Sequence, residues 1–336
     1  MADQISSRRE LSSRTRTKAN DILKKSIESW DGGKDLDQRV CVYTTGSFGR
    51  DDASRFSDLD VFIVSEEENV TQNRLLTGLE EIELLASIVH TNRELSLPDI
   101  DADGGFLKVH QLSDYLVGLG KPSDDANNTF TGRLLLLLES KPLFGHEVFE
   151  KVRRECVDRY WNDYADHSDS FLPAFLINDI LRFWRTLCVN YEAGSPKDPE
   201  KRRAKNYKLK HSRLLTCFSA IVGLQAQYQK ESTITPETAI ETLSLTPLER
   251  LEHAKPAMHV SLHDKIGELF NLYERFLVET DCSKQELYEK MRDPGYYKES
   301  LENARVFGDT MFSLLEGMSM IETDVKAKRF FRYLTV

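Results

Sequence analysis

The sequence predicts an α/β (α+β) fold in which a small mixed sheet leads a long helical region. Three observations predict it. Two short β-rich runs, residues 39–43 (RVCVY) and 60–64 (DVFIV), flank a glycine-containing turn. A three-four apolar rhythm comes next over residues 71–90, the pattern of a helix laid on one face of a sheet. Beyond Lys121-Pro122-Ser123 the chain is patterned as helices almost without interruption.

The leading helix is expected first. Residues 7–30 carry Ile22, Ile27 and Trp30 at near-helical spacing, and Asp31-Gly32-Gly33 stops that helix. The run 39–43 leads straight into Thr44-Thr45-Gly46-Ser47, so strand, tight turn, strand is the local plan. Leu75, Leu79, Ile82, Leu85 or Ala86, and Val89 form the apolar stripe of the covering helix. Residues 101–105 read as a turn-rich break and 106–109 as a further strand. Helices are expected at 128–140, 147–164, 172–191, 208–228, 247–254, 263–280 and 299–328. Asp124, Asp125 and Asn128 read as helix N-caps, and the charged, proline-containing stretch 193–203 reads as an exposed loop. The expected domains are 1–120 and 121–325, with a basic, aromatic tail at 326–336.

A chain of 336 residues exceeds what one hydrophobic core usually holds, which agrees with two domains. With 40% hydrophobic and 30% charged residues it has the composition of a soluble globular protein. The purest apolar run is the five leucines at 134–138, far short of the roughly 18 residues a membrane span needs. Arg8, Arg9, Arg14 and Arg16 precede no apolar signal region, so no membrane insertion and a cytoplasmic location are expected. Cys41, Cys156, Cys188, Cys217 and Cys282 are far apart and form no CxxC pair, which suggests neither a disulfide framework nor a zinc site. A net charge of -10 disfavours a broad surface for duplex nucleic acid. A local basic groove stays open.

The chemistry is concentrated in GSFGRDDASRFSDLDVFIV, residues 46–64. Strand alternation puts Asp58 and Asp60 on one side, about 6 to 7 Å apart, with Leu59 turned to the core. Two carboxylates facing one way call for a cation between them. Magnesium suits the role, because it takes oxygen ligands from one or two carboxylates plus substrate phosphates and water. A nucleoside triphosphate supplies such phosphates. Gly46 lets backbone approach a phosphate with no Cβ in the way, and the Ser47 hydroxyl with the next amides can donate to phosphate oxygens.

Glycine-serine, about ten residues, then Asp-x-Asp on an apolar strand resembles the signature of the DNA polymerase beta nucleotidyltransferase superfamily. GSFGR and SDLD are most similar to the enzymes that uridylylate PII signalling proteins and to their bacterial relatives, and the stretch LLLLLESKPLFGHEVFEKV resembles the helix and turn that come after their catalytic domain. In motif and length the chain also resembles antiphage defence nucleotidyltransferases, the Hailong type among them. The resemblance implies a polymerase beta-like catalytic domain at 1–120 and a helical substrate-binding domain at 121–325. It implies two magnesium ions, with manganese as a substitute, and a third carboxylate on a later strand. The strand expected at 106–109 contains no acid, so Asp103, or Asp101 behind it, would have to serve. It also implies a lysine on a second-domain helix that grips the triphosphate, which makes Lys208, Lys210 and Ser212 candidates by position.

The expected activity is transfer of a nucleotidyl group from a nucleoside triphosphate to a hydroxyl, releasing pyrophosphate. Three acceptor readings stay open: template-independent synthesis of a nucleotide or single-stranded oligonucleotide signal, modification of a protein or tRNA, and a nucleotide-sensing protein with a relic site. In the first, the Tyr333 hydroxyl of the tail is a candidate to accept the first nucleotide. A homo-oligomer and an effector protein encoded nearby are the partners that reading would bring.

Overall fold

The computed structural model describes residues 4–30, 32–67, 75–100, 107–194, 197–319 and 325–335, and the chain divides into two units, Met1–Arg159 and Tyr160–Val336. In chain order the first unit comprises α1 (Gln4–Glu28), β1 (Val40–Thr44), α2 (Gly46–Arg50), β2 (Val61–Ser65), α3 (Gly78–Glu94), β3 (Val109–Gln111), α4 (Leu112–Val117), α5 (Pro122–Ala126), α6 (Thr129–Glu139), β4 (Lys141–Phe144) and α7 (His146–Asp158). The sheet order is β3-β2-β1-β4. β1 runs antiparallel to both β2 and β4, whereas β2 and β3 are parallel, so the sheet is mixed as expected.

Every residue of β1 is buried, because both faces of the sheet are covered. Val40 and Val42 of β1 and Val61 and Ile63 of β2 pack on one face with Ala19, Leu23 and Ile27 of α1 and Leu84 and Ile88 of α3. On the other face Tyr43 stacks on Phe62 at 5.8 Å and meets Phe149 of α7 at 5.7 Å. Burial of these side chains, at roughly 1.5–3 kcal/mol each, holds the two central strands in register. That register places Thr44 opposite Val61, and so brings the Gly46 turn beside Asp60.

β4 lies in a stretch read as a helix end and turn. It is four residues long and contains Pro142, which lacks the N–H a central strand needs and is tolerated here because β4 is an edge. Asp124 and Asn128 also depart from expectation. The Asp124 carboxylate is fully buried and accepts from Arg133 at 2.6 and 3.0 Å and from the Thr129 hydroxyl at 2.8 Å, so it neutralises a buried guanidinium rather than capping a helix. Asn128 occupies the N-cap position of α6 in a left-handed conformation, with no side-chain capping bond.

The second unit is helical: α8 (Tyr164–His167), α9 (Ala174–Ala193), α10 (Pro199–Lys208), α11 (Leu214–Glu231), α12 (Pro236–Ser244), α13 (Pro247–Ala254), α14 (His263–Glu279), α15 (Lys284–Arg292), α16 (Pro294–Ser319) and α17 (Val325–Thr335). A π-helical segment, Leu209–Arg213, joins α10 to α11. α11 is buried along most of its length, and the buried Arg250 of α13 donates to the Thr216 carbonyl at 3.3 Å and the Leu243 carbonyl at 2.8 Å. Part of the loop expected at 193–203 is helix. Pro199 stands in the first turn of α10, where its missing N–H is no loss and its fixed φ favours the helix. Among the described residues no helix is long and apolar enough to cross a membrane.

Candidate active site

Gly46 begins where β1 ends. It adopts a left-handed φ of 63°, and a Cβ added to it would lie 2.3 Å from an Asp60 carboxylate oxygen. Only glycine meets both demands. The Asp60 carboxylate therefore rests directly against the bare Cα of the turn. Its backbone is fixed there too, since the Asp60 carbonyl accepts from the Thr45 amide and from the Thr44 hydroxyl, each at 2.9 Å. Leu59 is buried in the core at 2% exposure, while Asp58 is half-buried and Asp60 exposed. Of these three residues just before β2, only Leu59 is turned into the core.

A buried carboxylate that sequence reasoning missed holds the turn from behind. Glu139, the last residue of α6, has a fully buried side chain that accepts from the Gly46 amide at 3.2 Å and from Arg50 at 2.9 Å. Arg50 also forks onto Asp52 at 2.9 and 3.2 Å. The Gly46 amide is thus committed to Glu139. The Ser47 hydroxyl, by contrast, makes no hydrogen bond among the described residues. One signal in the sequence could have found Glu139: an acid closing a run of five leucines is a carboxylate bound for the interior, where it needs partners.

The N-terminal helix clamps the same loop. Arg8 donates to the Asp52 carbonyl at 2.9 Å, the Ala53 amide donates to the Ser12 hydroxyl at 3.1 Å, and Arg16 bonds the Phe48 carbonyl and the Asp51 carboxylate. Arg8 and Arg16 are therefore structural ties to residues 48–53.

The candidate donors are oxygen only: the Asp58 and Asp60 carboxylates and the Ser47 hydroxyl. Among the described residues no group of three or more His, Cys, Asp or Glu side chains comes together. Carboxylate oxygens of this kind fit magnesium, whose other ligands come from phosphates and water. Asp101 and Asp103, the candidates for a third carboxylate, lie outside the described residues. β3 itself carries no acid.

The remaining candidates belong to the second unit. Lys208 ends α10 and Lys210 lies in the π-helical segment, so this basic stretch sits at a helix junction rather than opening a helix as expected. Ser212 is buried, and its hydroxyl donates to the Lys208 carbonyl at 2.9 Å. Tyr333 is 37% exposed on α17, whose Ala327 and Phe330 are buried in the unit and whose Lys326 donates to the Gln229 carbonyl at 3.2 Å.

Residues 28–102 match the family model of the nucleotidyltransferase domain, a span that includes Gly46, Ser47, Asp58 and Asp60. No curated protein matches the chain, so the likeness to PII-uridylylating and Hailong-type enzymes rests on motif. A mixed four-stranded sheet with a mostly helical remainder is consistent with the polymerase beta-like nucleotidyltransferase fold. The domain is that of a nucleotidyl-transferring enzyme, whose donor is a nucleoside triphosphate.

Proposed function

We propose that this nucleotidyltransferase domain moves a nucleotidyl group from a ribo- or deoxyribonucleoside triphosphate to a hydroxyl at Gly46, Ser47, Asp58 and Asp60. The observation that carries the reading is the Asp60 carboxylate seated against the bare Gly46 Cα. The acceptor oxygen bonds to the α-phosphorus, the α–β anhydride bond breaks, pyrophosphate leaves, and the hydroxyl proton passes to a site carboxylate or to water. Asp58 and Asp60 would hold one or two magnesium ions, or manganese in their place. Such ions, when bound, neutralise charge on the triphosphate and favour ionisation of the acceptor. The Ser47 hydroxyl donates to a phosphate oxygen, and Gly46 leaves the Asp60 carboxylate room against the turn. Lys208 is assigned to the triphosphate, and Asp103 to a third carboxylate, on the strength of the resemblance.

The acceptor we assign is another nucleotide, giving template-independent synthesis of a short single-stranded product in defence signalling. An acidic chain with net charge -10 suits small nucleotides better than long duplexes. Tyr333, partly exposed, is the chain's own candidate for the first acceptor hydroxyl. Modification of a protein or tRNA is the rival, and it would give no product without that macromolecule. The test is pyrophosphate release and intact mass after incubating the purified chain with each triphosphate and Mg²⁺. Asp58→Ala with Asp60→Ala should abolish release while the circular dichroism spectrum stays unchanged; turnover retained in that variant refutes the assignment. A mass gain lost in Tyr333→Phe marks self-priming.

A further inference from the structure

A cavity of about 520 Å³ opens in the second unit, walled by α9, α10, the π-helical segment and α16. Its volume falls within the roughly 300–1,000 Å³ of small-molecule sites. Three aromatic rings line it: Trp184 and Tyr191 of α9 and Tyr297 of α16. Trp184 is braced edge-on by Phe218 at 5.9 Å, and Tyr297 is backed by the Arg203 guanidinium at 4.3 Å, itself anchored on the Met291 carbonyl at 2.8 Å. The rings are therefore held by packing rather than left to rotate.

Cations share the cavity with them. Lys197 and Lys210 line it, and among the described residues neither makes a hydrogen bond or ion pair. Arg202 also lines it, shared between Glu192 at 3.2 Å and the Tyr191 ring at 5.9 Å. Glu192 is the one acid among the lining residues, so the local balance is positive in a chain of net charge -10. Lys210 also falls within the π-helical segment, an irregularity found disproportionately at functional sites. Unpaired ammonium groups beside fixed aromatic faces match a ligand that joins a planar ring to an anion.

We infer that this cavity binds a nucleoside phosphate, with the base against the aromatic walls and the phosphate at Lys197 and Lys210. The choice of a nucleotide over other ring-bearing anions rests on the transferase reading above. The experiment separates the two. Titration of the full chain with each of the four nucleoside 5′-monophosphates in EDTA, read by calorimetry and tryptophan emission, leaves the carboxylate pair without metal. At least one monophosphate should bind saturably, and bind equally well to the Asp58→Ala, Asp60→Ala variant. Lys210→Glu should weaken binding roughly tenfold or more, the value of a charge-assisted hydrogen bond, and Trp184→Phe should abolish the emission change. Absence of binding in EDTA, affinity untouched by Lys210→Glu, or inorganic phosphate binding as tightly as the nucleotide would each overturn the inference. Failure of the transferase reading shows instead as absent pyrophosphate release with this binding intact.

Discussion

At Gly46 one methyl group would occupy the place of the Asp60 carboxylate. A Cβ there would stand 2.3 Å from an Asp60 oxygen and would be attached to a residue at φ 63°. Gly46→Ala should therefore cost about 1–2 kcal/mol of stability for the left-handed conformation, but on the order of 100-fold or more in turnover, because relief of the clash displaces a carboxylate assigned to the proposed reaction. Melting temperature and pyrophosphate release measured together check this; a variant that loses both in proportion would mean a folding defect alone. The approach of Gly46 to Asp60 was legible because a local motif fixes their spacing. Glu139 was not, since its partner in the turn lies 93 residues away and nothing local marks that pairing.

Among the elements, those with long apolar periodicity were legible. The helix expected at 247–254 is α13 (Pro247–Ala254), and the one expected at 263–280 is α14 (His263–Glu279). β4 and α10 were obscured by proline, which reads as a breaker although an edge strand and a first helical turn both accept it. The π-helical segment was invisible for another reason: an extra residue in a turn barely alters an apolar rhythm. Its His211 is buried against Tyr207, Phe276 and Phe307, and that burial pushes the imidazole down to about 4. The unfolded chain takes up the proton near the ordinary value of about 6.5. Stability from the neutral ring is thus complete above that pH and is lost as pH falls from there toward 4, by up to about 3 kcal/mol. Burial does the same to His110, also lowered to about 4. Urea unfolding at pH 7 and pH 4.5 should show His211→Phe losing less stability on acidification than wild type. Equal losses would mean the ring is already charged in the fold.

For the whole molecule, two units with separate cores predict a calorimetric scan with two transitions. Arg133→Met leaves the buried Asp124 carboxylate without its guanidinium, which costs roughly 3–5 kcal/mol. It should lower one transition and leave the other in place. A single transition that moves as a body would argue that the units do not melt independently. The sequence announced two parts through the change from mixed to helical patterning. It did not announce that α6 and β4, past the expected division at 120, complete the first sheet's unit.

That completion sets an order of events during synthesis. A nascent chain that has emerged only through β2 already carries both aspartates and the glycine, yet the Gly46 amide still lacks its acceptor and Arg50 has only one of its two carboxylate partners. Glu139 arrives only at the end of α6. The Gly46 turn should therefore settle on the ribosome well after the motif itself has left the exit tunnel.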